Sequence, residues 1–290
     1  MSKLVSVRLM GGLGNQLFQI FATLAYGLNH NRTVIFPYSD SLKIGMERPT
    51  YWNTLLNNLK RMTTSNIMLG IKNSAFSRFS NLSEHNFTYH ELPDVHYKEV
   101  LLNGYFQSYK YFDDTTTKNH IFSLIDLKEQ QDRIKRDFSY LFPKNKQSIS
   151  MHFRLGDYLH LQDKHPIMKY EYYEKALEYI ISFNEEKEIC ILYFCQEEDN
   201  TTVSLIIEKL KQKYTAIEFI KVDDTIPDWK QMLLMSQCNH NIIANSTFSW
   251  WGAYLRPYDN GIVCYPSLWF GQALHHNTND LFPENWHRIL

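Results

Sequence analysis

The 290-residue chain has almost no net charge, with 30 Lys and Arg against 31 Asp and Glu. It offers no positive field to hold a nucleic-acid backbone, so no nucleic acid is expected as a partner. Long apolar runs are missing too. A membrane-spanning helix needs about 20 mostly apolar residues, and no integral membrane segment is expected. The start, Met1-Ser2-Lys3-Leu4-Val5-Ser6-Val7-Arg8, lacks the apolar region of a secretion signal. The expectation is a soluble, cytoplasmic protein. Cysteine is scarce: Cys190, Cys195, Cys238 and Cys264 show no C-x-x-C spacing, and three lie in apolar runs. That fits small core residues in a reducing compartment better than a disulfide framework. Asn-x-Ser/Thr triplets at Asn31, Asn81, Asn86, Asn200 and Asn245 carry no weight without a leader.

Metal motifs are absent as well. There is no Asp-x-Asp, no H-E-x-x-H and no Cys/His cluster, and the 12 His are scattered. A divalent ion on a diphosphate wants carboxylates close together. The acidic clusters Glu197-Glu198-Asp199 and Asp223-Asp224 read as solvated loops. Chemistry without a metal is expected, and no cofactor.

What is present is globular. Hydrophobic residues make up 44% and charged residues 21% of the chain, a composition that buries a core. The length suits two modest domains or one large one. Aromatics reach 15%. Most of them serve core packing, and platforms for sugars or bases are the other use of such rings.

Residues 4–10 read as a strand, 15–28 as a helix with apolar positions at 17, 18, 21, 24, 25 and 28, and 33–37 as a strand. The turn between them, Gly11-Gly12-Leu13-Gly14, invites the dinucleotide fingerprint. Gly12 and Gly14 fit its first two positions, but Leu17 holds the third, and the nearest acid, Asp40, lies beyond a proline. A nicotinamide-dependent oxidoreductase is therefore a weak alternative. The turn offers close backbone approach at two glycines, then two amides, Asn15 and Gln16, that can bond a polyhydroxylated ligand. Residues 40–100 show no clear period, apart from a mildly helical 51–62, and irregular structure is expected. Residues 101–112 read as a strand leading into a loop, and 125–141 as a charged amphipathic helix. The polar stretch 143–147 is the expected junction between domains 1–145 and 146–290.

The second half alternates cleanly. Strands are expected at 148–154, 189–194, 217–222, 241–244 and 261–265, with helices at 169–183, 203–214, 227–237 and 246–255. This is a nucleotide-binding type of α/β domain, whose ligands bind beyond the C-terminal strand ends. Two motifs lie there. His152-Phe153-Arg154-Leu155-Gly156-Asp157 puts His152 and Arg154 on one face of a strand end. Arg154 there suits a diphosphate clamp, since arginine binds phosphate bidentately and stays charged. Its plain alternative is an ion pair with Asp157 that stiffens the loop. Asn245, Ser246 and Thr247 open a helix, where backbone N–H groups and the helix dipole favour an anion, the plain alternative being an ordinary buried αβ junction with a capped helix.

Four motifs in order, Gly11-Gly12-Leu13-Gly14-Asn15-Gln16, Gly104-Tyr105-Phe106-Gln107-Ser108, His152–Tyr158 and Asn245–Ala253, with Tyr265–Phe270 and Trp286 behind them, resemble the α-1,2-fucosyltransferase family over essentially the whole chain. The resemblance implies a GT-B fold, two Rossmann-like domains facing a cleft. It implies GDP-β-L-fucose as donor, the 2-hydroxyl of a terminal galactose on an oligosaccharide as acceptor, inversion, and no required metal. It implies an N-terminal acceptor-side domain and a C-terminal domain for GDP-fucose. Arg154 would hold the diphosphate with His152 shaping its loop, and Asn245, Ser246 and Thr247 would bind phosphate, with Gly12 and Gly14 near the donor. Asn15, Gln16 and Gln107 would lie on the acceptor and fucose side. Asp157 is the first candidate for a base, with orientation of Arg154 an equal alternative, as is transfer without a side-chain base. An inactive sugar-nucleotide or glycan-binding protein is the second alternative. The sequence departs from the family at Phe194-Cys195-Gln196-Glu197-Glu198, where many relatives carry Phe-Ser-Asp-Asp, so a donor contact from that loop stays open.

Overall fold

The computed structural model describes residues 3–43, 45–183, 188–258 and 260–290. The chain divides into two compact units, Met1–Lys128 with His276–Pro283, and Glu129–His275 with Glu284–Leu290.

The first unit opens as the apolar pattern requires. Strand β1 (Leu4–Val7) turns at the glycines into helix α1 (Leu13–Asn29), and β2 (Thr33–Val34) returns beside β1. Helix α1 is buried from Leu13 through Gly27 except at Asn15, which is half-buried. A helix apolar nearly all round lies inside a fold rather than on it. A hairpin, β3 (Ser41–Leu42) with β4 (Arg48–Pro49), and three short 3₁₀ helices fill the stretch without periodicity. Two more strands, β5 (Ser80–Ser83) and β6 (Glu99–Asn103), complete a parallel sheet in the order β2-β1-β6-β5. Helix α2 (Thr115–Leu124) follows, with the Asp114 carboxylate accepting from the Thr117 N–H as its cap.

The second unit begins within α3 (Leu127–Asp137) and continues as β7 (Gln147–His152), α4 (Tyr170–Ser182), β8 (Ile189–Phe194), α5 (Asn200–Lys213), β9 (Glu218–Lys221), α6 (Asp228–Ser236), β10 (His240–Ile242), α7 (Thr247–Tyr254), β11 (Val263–Pro266) and β12 (His287–Ile289). All six strands are parallel, in the order β12-β11-β10-β7-β8-β9. The chain runs outward from β7 through β8 to β9, returns to the other side of β7 at β10, and runs outward again. That is the doubly wound order, and its reversal point lies between β7 and β10. The α/β fold with parallel sheets in both units is of the GT-B type expected.

The structure differs from the expected plan in three places. The 125–141 helix is shorter, Leu127–Asp137, because Ile125 caps α2 and Asp126 takes a positive φ of 55° before it, and a separate turn covers Ser139–Leu141. The division between units falls after Lys128, earlier than the 145/146 boundary, and 276–283 belongs to the first unit. Buried Gln131 ties α3 to the second unit, its Nε2 donating to Ser236 Oγ (3.0 Å) and Leu255 O (2.6 Å), while Asp280 accepts from Tyr89 N and Lys110 Nζ of the first. The short strands β5 and β12 were not expected, and β5 (Ser-Asn-Leu-Ser) carries little apolar signal.

Candidate active site

In doubly wound sheets a ligand binds beyond the strand ends at the reversal point. The loops after β7 and β10 meet that description. Strand β7 stays extended past its end, where Phe153 N donates to Phe194 O at 2.8 Å, and the chain then turns through Leu155 into Gly156–His160. Arg154 projects from this turn and is 19% exposed. Its Nη2 pairs with Asp157 Oδ1, and its Nη1 donates to Gln196 Oε1 on the loop after β8. Its guanidinium also lies over the Tyr158 ring, 5.1 Å from the centroid. A cation held from three sides has lost most of its side-chain freedom before any ligand arrives.

The turn itself is pinned. Gly156 has φ +36°, and a Cβ there would stand 2.5 Å from Gln196 Oε1. Both carboxylate oxygens of buried Asp199 accept from Gly156 N, at 3.0 and 3.1 Å. The acidic run at 197–199 is therefore not all solvated: Glu197 and Glu198 are exposed, while Asp199 is buried. Asp224 likewise accepts from Lys221 (2.6 Å) and Asn200 (2.8 Å) instead of facing water alone. Gln196 and Asp199 are site residues that sequence reading missed. Their positions in a variant loop were visible, but their partners lie 42 and 43 residues away.

His152 ends β7 in the core. Burial, reinforced by the Arg154 charge, pushes its pKa down to about 3, so the ring is neutral at working pH. Its Nδ1 is buried without a partner, its ring stands 5.5 Å from that of Phe248, and its carbonyl accepts from Tyr173 Oη at 3.1 Å.

Across the reversal point, Ser246 caps α7, its Oγ accepting from Phe248 N at 3.3 Å. The Asn245 amide is turned inward, donating to Pro166 O (2.8 Å) and Trp269 O (3.2 Å), with Oδ1 buried and unpartnered. Thr247 is half-buried at the first helical position. Helix α7 is anchored by rings: Trp250 stacks on Tyr254 at 4.7 Å and meets Trp286 at 5.4 Å. The helix start is thereby fixed in place, with the partial positive charge of its first turn. Tyr158 Oη, donating to Asn245 O at 3.3 Å, links the two loops.

In the first unit β1 and β6 are the two central, neighbouring strands. The loops following those two strands meet where Gln107 Nε2 donates to Asn15 Oδ1 at 2.9 Å. Gln107 is buried and Asn15 half-buried. Gln16 is buried and spends its Nε2 on Gly11 O (3.0 Å) and Pro49 O (2.8 Å), so it braces the turn and the hairpin. Gly12 is the N-cap of α1, with no side-chain cap, and a Cβ there would meet nothing within 4 Å. Gly14 is buried in the first turn of α1. The glycine that the turn demands is Gly11: its φ is +75°, and a Cβ would stand 2.5 Å from Asn15 Nδ2.

Glu84 organises the other loop. Its two carboxylate oxygens accept from Tyr105 N (2.8 Å) and Phe106 N (3.0 Å). Phe106 is fully buried with φ +52°, a region costly for a bulky residue. Burial holds the Glu84 pKa above the usual carboxylate range, against the lowering effect of those two N–H bonds. The residue lies in the stretch that showed no sequence period.

Among the described residues, no group of three or more His, Cys, Asp or Glu is placed to hold a metal ion. No helix among them is long and apolar enough to cross a membrane.

The family model described as Glycosyl transferase family 11 matches residues 1–289. The chain is 29% identical to the Escherichia coli O-antigen biosynthesis glycosyltransferase WbnK, covering 96% of this chain and 98% of that protein. It is 28% identical to an Escherichia coli alpha-1,2-colitosyltransferase, covering 99% of each. Among solved structures, POFUT1 in complex with GDP-fucose superposes with a TM-score of 0.52 at 12% identity, covering 91% of this chain and 98% of that one, a likeness of fold. The whole-chain match bears out the resemblance carried by the four motifs and replaces the oxidoreductase reading of the glycine turn. The chain is a glycosyltransferase and belongs to glycosyl transferase family 11.

Proposed function

We propose that this glycosyltransferase moves L-fucose from GDP-β-L-fucose to the 2-hydroxyl of a terminal galactose, with inversion and without a metal. The observation that carries the donor reading is Arg154, held by Asp157, Gln196 and Tyr158 at the end of β7, across the sheet reversal from the start of α7. Donor binding is assigned to the second unit and acceptor recognition, through Asn15 and Gln107 with Gln16 bracing their turn, to the first. In an inverting displacement the acceptor oxygen bonds to the anomeric carbon as the bond to the β-phosphate breaks. GDP departs with the electron pair, and the acceptor hydroxyl passes its proton to water or to the departing diphosphate.

The transition state resembles an oxocarbenium ion, and negative charge grows on the diphosphate. Arg154 and the first-turn amides of α7 are fixed donors for that charge, the kind of preorganised stabilisation that contributes most in enzyme sites. They do the work that a divalent ion would otherwise do. Thr247 and Ser246 belong to that helix start, and Asn245 holds it by its inward bonds. His152 is assigned to shaping the loop as a neutral ring. Asp157 is assigned to orienting Arg154. The natural setting is the cytoplasm, with a galactose-terminated oligosaccharide as acceptor.

A relative named as an alpha-1,2-colitosyltransferase supports the 1,2 linkage and brings in a second donor, since colitose is fucose without its 3-hydroxyl. The test is NMR of the product made from GDP-fucose, and from the colitose donor, with a β-galactoside. An α-fucosyl residue on the galactose 2-oxygen supports the reading. A β-anomer, another linkage, or product from the colitose donor alone would overturn it.

A further inference from the structure

Residues 48–83 contain five cations, Arg48, Lys60, Arg61, Lys72 and Arg78, and no Asp or Glu. In a chain with nearly equal numbers of acids and bases overall, 31 against 30, such a segment is a local excess of one sign. Within it lies a short closed loop. Thr64 Oγ1 donates to Asn73 Oδ1 at the loop's base, and the Asn73 amide is tied in turn to Tyr38 O at 2.7 Å. Asn66 reinforces the ascending side, its Nδ2 donating to Arg61 O at 2.8 Å and its Oδ1 capping the turn at Met68 N. Gly70, at φ +63°, closes the turn by donating to Ile67 O.

The tip of this loop is Ile67 and Met68, which are 89% and 87% exposed. They are the two most exposed large apolar side chains among the described residues, and they are adjacent. The neighbouring Leu69 and Ile71 do the opposite, packing against Ile35, Phe76, Phe79 and Leu101. The loop is thus anchored at its foot and apolar at its tip. Arg61 and Lys72 are exposed at its shoulders and Arg78 beyond. None of Lys60, Arg61, Lys72 or Arg78 pairs with a carboxylate among the described residues.

We propose that the 64–73 loop is a membrane-surface anchor, in which Ile67 and Met68 enter the headgroup boundary of an anionic bilayer while Arg61, Lys72 and Arg78 face its lipid phosphates. Apolar side chains presented on a rigid tip with cations around them are what interfacial binding requires. Apolar insertion and electrostatic attraction act together here. One short tip gives reversible binding.

The test is flotation of the full chain with vesicles of phosphatidylcholine alone and with 30% phosphatidylglycerol, at 0.1 and 0.5 M salt. The wild-type chain is expected to float at least tenfold more with the anionic vesicles, and less at high salt. The Ile67→Ser/Met68→Ser variant is expected to lose at least tenfold of that binding. Its melting temperature and its transfer to a soluble galactoside should stay within twofold of wild type, since both side chains lie outside the core and the site. The Arg61→Glu/Lys72→Glu variant should also lose binding. Absence of wild-type binding to anionic vesicles would overturn the anchor. So would binding untouched by the tip variant, which reports surface charge without insertion. Self-association abolished by the tip variant, without vesicle binding, would assign the patch to a second copy of the chain and equally overturn it.

Discussion

In the proposed reading, Arg154 is the residue on which donor binding turns. Its three partners fix the guanidinium, so a change that keeps the charge and loses the fork is informative. Arg154→Lys retains a cation but cannot make parallel bonds to a diphosphate. The expected result is at least a hundredfold loss in kcat/KM with an unchanged melting temperature, checked by steady-state kinetics and calorimetry. Glu84 is the counterpart in the first unit. Glu84→Gln replaces one acceptor by an amide that opposes a backbone N–H, and it loosens the turn at Phe106, the residue before Gln107. We expect the acceptor KM to rise about tenfold or more while the Kd for GDP-fucose stays within twofold. A fall in donor affinity instead would remove Glu84 from acceptor recognition.

The contrast between these two residues shows what sequence carries. Arg154 was legible because it ends a well-patterned strand, and strand ends are where α/β ligands sit. Glu84, Gln196 and Asp199 were not, because their roles consist of bonds to residues far along the chain. Gly12 and Gly14 drew attention by motif, yet the backbone demand falls on Gly11, since a positive φ leaves no mark on residue identity beyond glycine itself.

Among the elements, α3 decides where the second unit begins. Its charged surface was visible in the sequence, and the partner of its buried face was not. Gln131 supplies that partner through two bonds from one nitrogen. Gln131→Ala would leave the buried Leu255 carbonyl without that donor, a loss of about 1–3 kcal/mol. Urea unfolding should report it as a lower midpoint with an unchanged slope. Five of the six strands of the second unit were predicted to within a few residues, helped by the continuous apolar run of central β8. The short edge strands β5 and β12 escaped because they bury too little to leave a pattern.

For the molecule as a whole, His152 gives stability a defined pH dependence. Its folded pKa, about 3, lies below the ordinary value near 6.5. Between those values the unfolded chain binds a proton that the folded chain does not. Stability therefore falls as pH falls through that window, by up to about 1.4 kcal/mol per pH unit. His165, lowered mainly by burial, acts in the same direction. Comparing urea unfolding at pH 7 and pH 5, wild type should lose more stability than His152→Gln. Equal losses would mean that His152 is protonated in the fold.

The most direct test of the functional account is release of GDP from GDP-fucose by the purified protein in EDTA, with and without a β-galactoside. The account predicts release that depends on the acceptor, persists in EDTA and disappears in Arg154→Ala. GDP release that requires added metal, or no galactoside-dependent release despite clear binding of GDP-fucose, would contradict it.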